Sequence, residues 1–151
     1  MKKEFITINE KETKKLGEKL ADEVLKKKKN NEKAIIISLE GDLGAGKTTF
    51  VQGFAKKLKI KEKVLSPTFL IIKKFKLNKI KNFSNLYHID CYRIKNFKEI
   101  IDLDFEKIIS KPSNIVIIEW AERIKEILPE NIIKLKFFYI DENKRKIIIE
   151  K

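Results

Sequence analysis

The chain has 151 residues, 42% hydrophobic and 38% charged, which is one domain's worth of a well-cored globular protein and excludes a disordered one. Its formal net charge of +13 invites a nucleic-acid reading, but 32 of the 35 basic residues are lysine and only Arg93, Arg123 and Arg145 are arginine. Isoleucine is inflated in the same way, at 26 residues against five alanines; the joint excess carries the mark of an AT-rich coding sequence, and the residue that forks onto phosphates and guanine edges is not enriched.

No apolar run approaches the ~20 residues a membrane span needs. Glu4 follows Lys2-Lys3 with no apolar stretch behind it, so no secretory leader is expected. The single cysteine, Cys91, cannot form an internal disulfide, which suits a reducing compartment. The expectation is a cytoplasmic protein with one domain over residues 1–151.

Phe5–Ile8 reads as a short strand. Asn9 is placed to cap the helix that follows, with Glu12 three residues on as its capping-box partner. Leu16, Leu20 and Val24 give that helix an apolar stripe, and Lys26–Lys29 put positive charge at its C-terminal end, where the helix dipole favours it. Ala34–Leu39, apolar apart from Ser38, is expected to be a strand covered on both faces. A loop over Gly41–Lys47 leads into a helix with Phe50, Phe54 and Leu58 on one face. Further strands are expected at Leu70–Phe75, Leu86–Tyr92 and Ile115–Ile118, with a helix over Phe97–Ile109 that Lys111-Pro112-Ser113 ends. Pro129 stops a short helix, and Ile132–Ile140 with Lys146–Ile149 form a hairpin around Asp141-Glu142-Asn143. Strands alternating with helices indicate an α/β domain with a largely parallel sheet, to which the hairpin adds an antiparallel edge.

Gly41-Asp42-Leu43-Gly44-Ala45-Gly46-Lys47-Thr48 fits G-x-x-x-x-G-K-[ST]. Glycines let the backbone curl so that successive N–H groups point at phosphates, and the following helix offers its positive end to the anion. Lys47, expected to be exposed in the loop, reaches the β- and γ-phosphates of ATP, and the Thr48 hydroxyl ligates Mg²⁺. The motif follows a buried-type strand and opens an amphipathic helix, the setting it requires.

Such a loop needs a carboxylate at a neighbouring strand end to position the metal or its water. Leu86-Tyr87-His88-Ile89-Asp90 and Ile115-Val116-Ile117-Ile118-Glu119 both end in an acid, and either acid could merely finish its strand. His88, the only histidine, shares a strand face with Asp90 and so lies near the site, although a lone histidine in a strand is more often structural. Cys91 reads as buried packing.

With these residues assembled, the chain resembles the TsaE (YjeE) family, ATPases of bacterial tRNA threonylcarbamoyladenosine biosynthesis. The resemblance runs nearly end to end: GDLGAGKTT at Gly41–Thr49, Ser66-Pro67-Thr68-Phe69 as the family's switch segment, His88-Ile89-Asp90-Cys91-Tyr92-Arg93 as its H-x-D-x-Y-R motif, Ile118-Glu119-Trp120, and Leu128-Pro129 before the last hairpin. It implies a P-loop ATPase in which Gly41, Asp42, Leu43, Gly44, Ala45, Gly46, Lys47, Thr48 and Thr49 bind ATP, with Glu10 and Thr13 from the segment near the adenine. Thr48, Glu119 and Asp90 would hold or flank Mg²⁺, and Thr68 would be the switch threonine that senses the γ-phosphate. Lys47, Asp90, Glu119 and Thr68 are thus the catalytic candidates, and Trp120 is a reporter on the site or a packing residue. The implied partners are TsaD and TsaB, with tRNA met indirectly, and the lysine-rich surface could serve as an auxiliary contact there.

Two other classes fit the loop. A small-molecule kinase needs a lid that brings arginines over the transferred phosphoryl group, and three arginines without a lid-sized insertion tell against it. The other is a non-enzymatic RNA-binding protein whose loop is vestigial or serves as a regulatory nucleotide site; the intact Gly/Lys/Thr set with two candidate acids argues against a vestigial loop.

Overall fold

The computed structural model describes residues 1–27, 31–65 and 71–151. Seven strands form one sheet: β1 (Lys2–Thr7), β2 (Ile35–Glu40), β3 (Ile72–Lys76), β4 (Asn85–Asp90), β5 (Asn114–Glu119), β6 (Ile133–Tyr139) and β7 (Arg145–Glu150), in the order β1-β7-β6-β2-β5-β4-β3. The four central strands β6-β2-β5-β4 run parallel, β3 lies antiparallel on β4, and β7 and β1 continue the other side antiparallel. Every residue of β5 and all of β2 except Glu40 are buried, as continuous apolar runs require when both sheet faces are covered.

Helices α1 (Glu10–Lys26) and α2 (Lys47–Lys57) cover one face, where Leu16, Leu20, Phe50 and Phe54 meet Ile37, Ile117 and Leu135. The short helices α3 (Lys98–Ile101) and α4 (Phe105–Ser110), with 3₁₀ turns over Ala121–Ile127, cover the other, burying Ile100, Phe105, Ile108 and Ile124 against Ile36, Ile89 and Ile118. Asn9 caps α1 as expected: its side chain accepts from the Glu12 N–H at 2.8 Å. Glu12 reciprocates one residue earlier than a standard box, accepting from Ile8 N–H at 2.9 Å.

α1 and α2 cross backbone on backbone. A Cβ on Gly17 would stand 2.2 Å from the Phe50 carbonyl oxygen, and one on Gly53 2.0 Å from that of Lys14. Only glycine permits this approach, and it sets the height at which α2 presents its first turn over the sheet.

Four expectations shift. β1 begins at Lys2 rather than Phe5, because pairing with β7 from Lys2↔Glu150 to Thr7↔Arg145 orders residues that carry no apolar signal. The hairpin is not the sheet edge: β6 buries Ile133, Leu135 and Phe137 beside β2, and β1 takes the edge outside β7. The helix expected over 97–109 is two helices, broken where Asp104 adopts a left-handed backbone, φ 61, a conformation that aspartate tolerates better than most residues. Strand β4 ends at Asp90, two residues short of Tyr92. Leu70 of the third expected strand, and Lys28 and Lys29 of the basic helix end, lie outside the described residues. Among the described residues no helix is long and apolar enough to cross a membrane.

Candidate nucleotide-binding site

β2, β4 and β5 all finish in an acid, Glu40, Asp90 and Glu119, so three carboxylates arrive at the C-terminal edge of the parallel strands. Ligands bind at this edge in open α/β sheets. From β2 the chain turns through residues 41–46 into α2, with Gly41, Gly44 and Gly46 at φ 146, 76 and 99. Three positive φ values within six residues curl the loop over the start of α2, where the first-turn N–H groups point out of the helix. The loop is braced from two sides. Arg145 of β7 donates its Nε–H to the Gly44 carbonyl at 3.1 Å, and the Thr13 methyl lies 3.6 Å from where a Cβ on Gly46 would stand.

Lys47 is buried, 5% exposed, which corrects the expectation of an exposed loop lysine. Its ammonium donates to the carbonyls of Gly41 and Asp42 and sits 3.9 Å from the centre of the Trp120 ring. Burial pushes its pKa below the ordinary lysine value, against the pull of the Glu119, Glu122, Asp90 and Asp42 carboxylates. Trp120 reaches this position because the chain turns left-handed there, φ 58, as it leaves β5. Its ring also lies 5.0 Å from that of Tyr92, and the Arg123 guanidinium is 5.7 and 5.8 Å from the two ring centres.

Glu119 is buried and engaged on both oxygens. The Thr48 hydroxyl donates to Oε1 at 3.2 Å, and Nε2 of His88 is 2.5 Å from Oε2. The parallel register sets Asp90 opposite Glu119, and Asp90 Oδ1 accepts the Tyr92 N–H at 2.9 Å. Thr48, Asp90 and Glu119 line one cleft of about 940 Å³, which runs from Glu10 and Thr13 past loop residues 43–49 to Tyr92, Arg93 and Trp120. Among the described residues no three His, Cys, Asp or Glu side chains form a closed metal cage. A few hard oxygen donors at the mouth of a phosphate-sized loop instead suit Mg²⁺, which keeps waters and shares its coordination with substrate phosphates.

The structure therefore brings Glu10, Thr13, Leu43, Gly44, Ala45, Gly46, Lys47, Thr48, Thr49, Asp90 and Glu119 to one cleft. Gly41 and Asp42 lie behind it and act through their carbonyls on Lys47. Thr68 and the rest of the expected switch segment lie outside the described residues. Cys91 is buried, its thiol pushed up to about 12 by burial, in line with a packing role. Two contributions escaped sequence reasoning. The spacing of His88 puts it near the site without naming Glu119 as its partner, and nothing in the sequence assigns Arg145 to the loop it braces. The alternation Leu86, His88, Asp90 was the one available signal for the first; nothing local signals the second.

A parallel sheet whose central strand feeds a glycine loop and a helix, with a strand-end carboxylate bonded to that helix's first threonine, is a P-loop NTPase-like fold. The sequence profile described as "Threonylcarbamoyl adenosine biosynthesis protein TsaE" matches residues 7–147, and the chain belongs to the TsaE family, which acts in tRNA threonylcarbamoyladenosine biosynthesis. It is 41% identical to the TsaE protein of Aquifex aeolicus, covering 97% of this chain and 95% of that one. It is 40% identical to the TsaE protein of Rickettsia felis, over 93% of this chain and 75% of that one. Among solved structures, YdiB of Bacillus subtilis superposes with a TM-score of 0.70 at 30% identity, over 99% of this chain and 84% of that one.

Proposed function

We propose that this chain is a Mg²⁺-dependent ATPase that works in the cytoplasm with TsaD- and TsaB-type partners on the adenosine modification of tRNA, meeting the tRNA indirectly. The observation that supports it best is the Thr48–Glu119 contact at 3.2 Å, made between the first turn of α2 and the end of β5 at the lip of the glycine loop. In this reading the loop N–H groups and Lys47 bind the phosphates, and Glu10 and Thr13 flank the base end of the cleft. Thr48 and Glu119 would hold Mg²⁺, with Asp90 beside it; the metal supplies charge neutralisation on the β- and γ-phosphates. Asp90 and Glu119 orient the attacking water, and Thr68 reports the γ-phosphate to the partners. Removing Lys47 takes away a cation from a site of reduced dielectric, where it counts for more than in water. Calorimetric titration of ATP with Mg²⁺ into the wild-type and Lys47→Ala proteins tests the site, each alongside a melting curve. The expected result is a folded variant with little ATP affinity. Unchanged affinity would remove the loop from the site.

A further inference from the structure

His88 has no part in the phosphate chemistry above, yet it is fully buried and its one side-chain polar contact among the described residues is with a proposed metal-site acid. In register it stands between Ile117 of β5 and Lys73 of β3, with Leu86 and Ile115 on the same sheet face, and none of these offers it an acceptor. The other ring nitrogen, Nδ1, is buried with no hydrogen-bond partner among the described residues, a situation that costs stability for an unsatisfied polar atom. A histidine serving only to knit the core would be expected to use both nitrogens. This one gives its single bond to Glu119.

A glutamate's terminal torsion is broad and two-fold, so packing alone fixes its carboxylate plane poorly. Here Oε2 is tied to His88 at 2.5 Å while Oε1 meets Thr48. We infer that His88 is a positioning residue: the imidazole N–H from β4 holds Oε2 of Glu119 so that Oε1, beside the Thr48 hydroxyl, is the oxygen kept for a divalent cation. The inference rests on the proposed Mg–nucleotide reading and adds the residue that orients its carboxylate. Partners of this kind, one bond removed from the metal, typically change metal affinity about 10–100-fold when lost.

The test measures ADP affinity by calorimetry with Mg²⁺ and with EDTA, the ratio being the magnesium increment. An Asn amide at position 88 reaches only as far as Nδ1, whereas a Gln amide reaches about as far as Nε2. His88→Asn should bind ADP in EDTA like wild type and lose about tenfold of the increment, while His88→Gln should keep it within about threefold. A merely structural histidine would shift stability in both variants without separating them. A wild-type increment in His88→Asn, or an equal loss in His88→Gln, overturns the inference. If His88→Asn does not melt cooperatively, the wild-type protein decides. His88 is the only histidine, so its ring N–H resonance needs no assignment. It should move when Mg²⁺ is added to the ADP-saturated protein, and a stationary resonance overturns the inference. A wild-type protein with no magnesium increment at all defeats the proposed function, and this inference with it.

Discussion

Glu119 and Asp90 stand opposite each other in register but in different surroundings. Glu119 is buried and bonded to Thr48 and His88, whereas Asp90 ends its strand with a carboxylate oxygen taken up by the Tyr92 N–H. Replacing either by alanine leaves the loop N–H groups and Lys47 to hold the phosphates, so hydrolysis should suffer far more than binding. Steady-state phosphate release should fall at least about tenfold in Glu119→Ala and less in Asp90→Ala; normal turnover in both would put the metal elsewhere. Trp120 offers a second readout at this scale. The Lys47 ammonium lies on its ring face, so drawing that cation towards phosphates changes the indole's surroundings. Tryptophan emission should change on adding Mg–ATP to the wild-type protein and stay constant in Lys47→Ala. Emission indifferent to saturating nucleotide in wild type would separate Trp120 from the binding event.

Between elements, the decisive contact is the crossing of α1 and α2. Both carbonyls that a Cβ would strike, those of Phe50 and Lys14, belong to backbone, which cannot swing aside as a side-chain tip can. Gly53→Ala must therefore push the helices apart, and overpacking of this kind costs about 1–3 kcal/mol. For a chain of this size each kcal/mol lowers the melting midpoint by roughly 2–4 °C. Because α2 carries Lys47 and Thr48 in its first turn, ATP affinity should weaken along with stability. A Gly53→Ala protein with an unchanged melting curve would show that the helices have room to separate. The Arg145 brace belongs to the same scale, since it links a loop near the chain's first third to its last strand.

At the scale of the molecule, the cations that line the cleft among the described residues are Lys47, Arg93 and Arg145. Arg123 is stacked against Tyr92 and Trp120, and Arg145 donates to the carbonyls of Gly44, Asp141 and Lys144. Arg93 is the remaining arginine and lines the cleft. Fast phosphoryl transfer usually needs a cation over the developing γ-phosphate charge, supplied in cis or by a partner. The chain alone should hydrolyse ATP slowly, and adding TsaD and TsaB from the same source should accelerate phosphate release. Rapid turnover by the isolated chain, indifferent to those proteins, would make it a self-sufficient ATPase.

The glycine loop, its Lys-Thr ending, the two strand-end acids and the capped, striped α1 were legible in the sequence because each is local. Eight consecutive residues carry the loop's chemistry, and a helical or strand period needs no knowledge of what lies across the sheet. The break at Asp104 was nearly local too, but an isolated left-handed aspartate leaves no periodic trace in an apolar pattern that continues past it. Sheet order, register and helix crossing were decided only by the tertiary structure. They bring His88 to Glu119 across 31 residues and Arg145 to Gly44 across 101, and they give Gly17 and Gly53, unfavourable in a helix by themselves, a role where α1 and α2 approach too closely for a side chain. The burial of Lys47 is not local for the same reason: it depends on what the rest of the chain lays over the side chain, here the ring of Trp120, and that is settled by long-range packing rather than by the residues on either side.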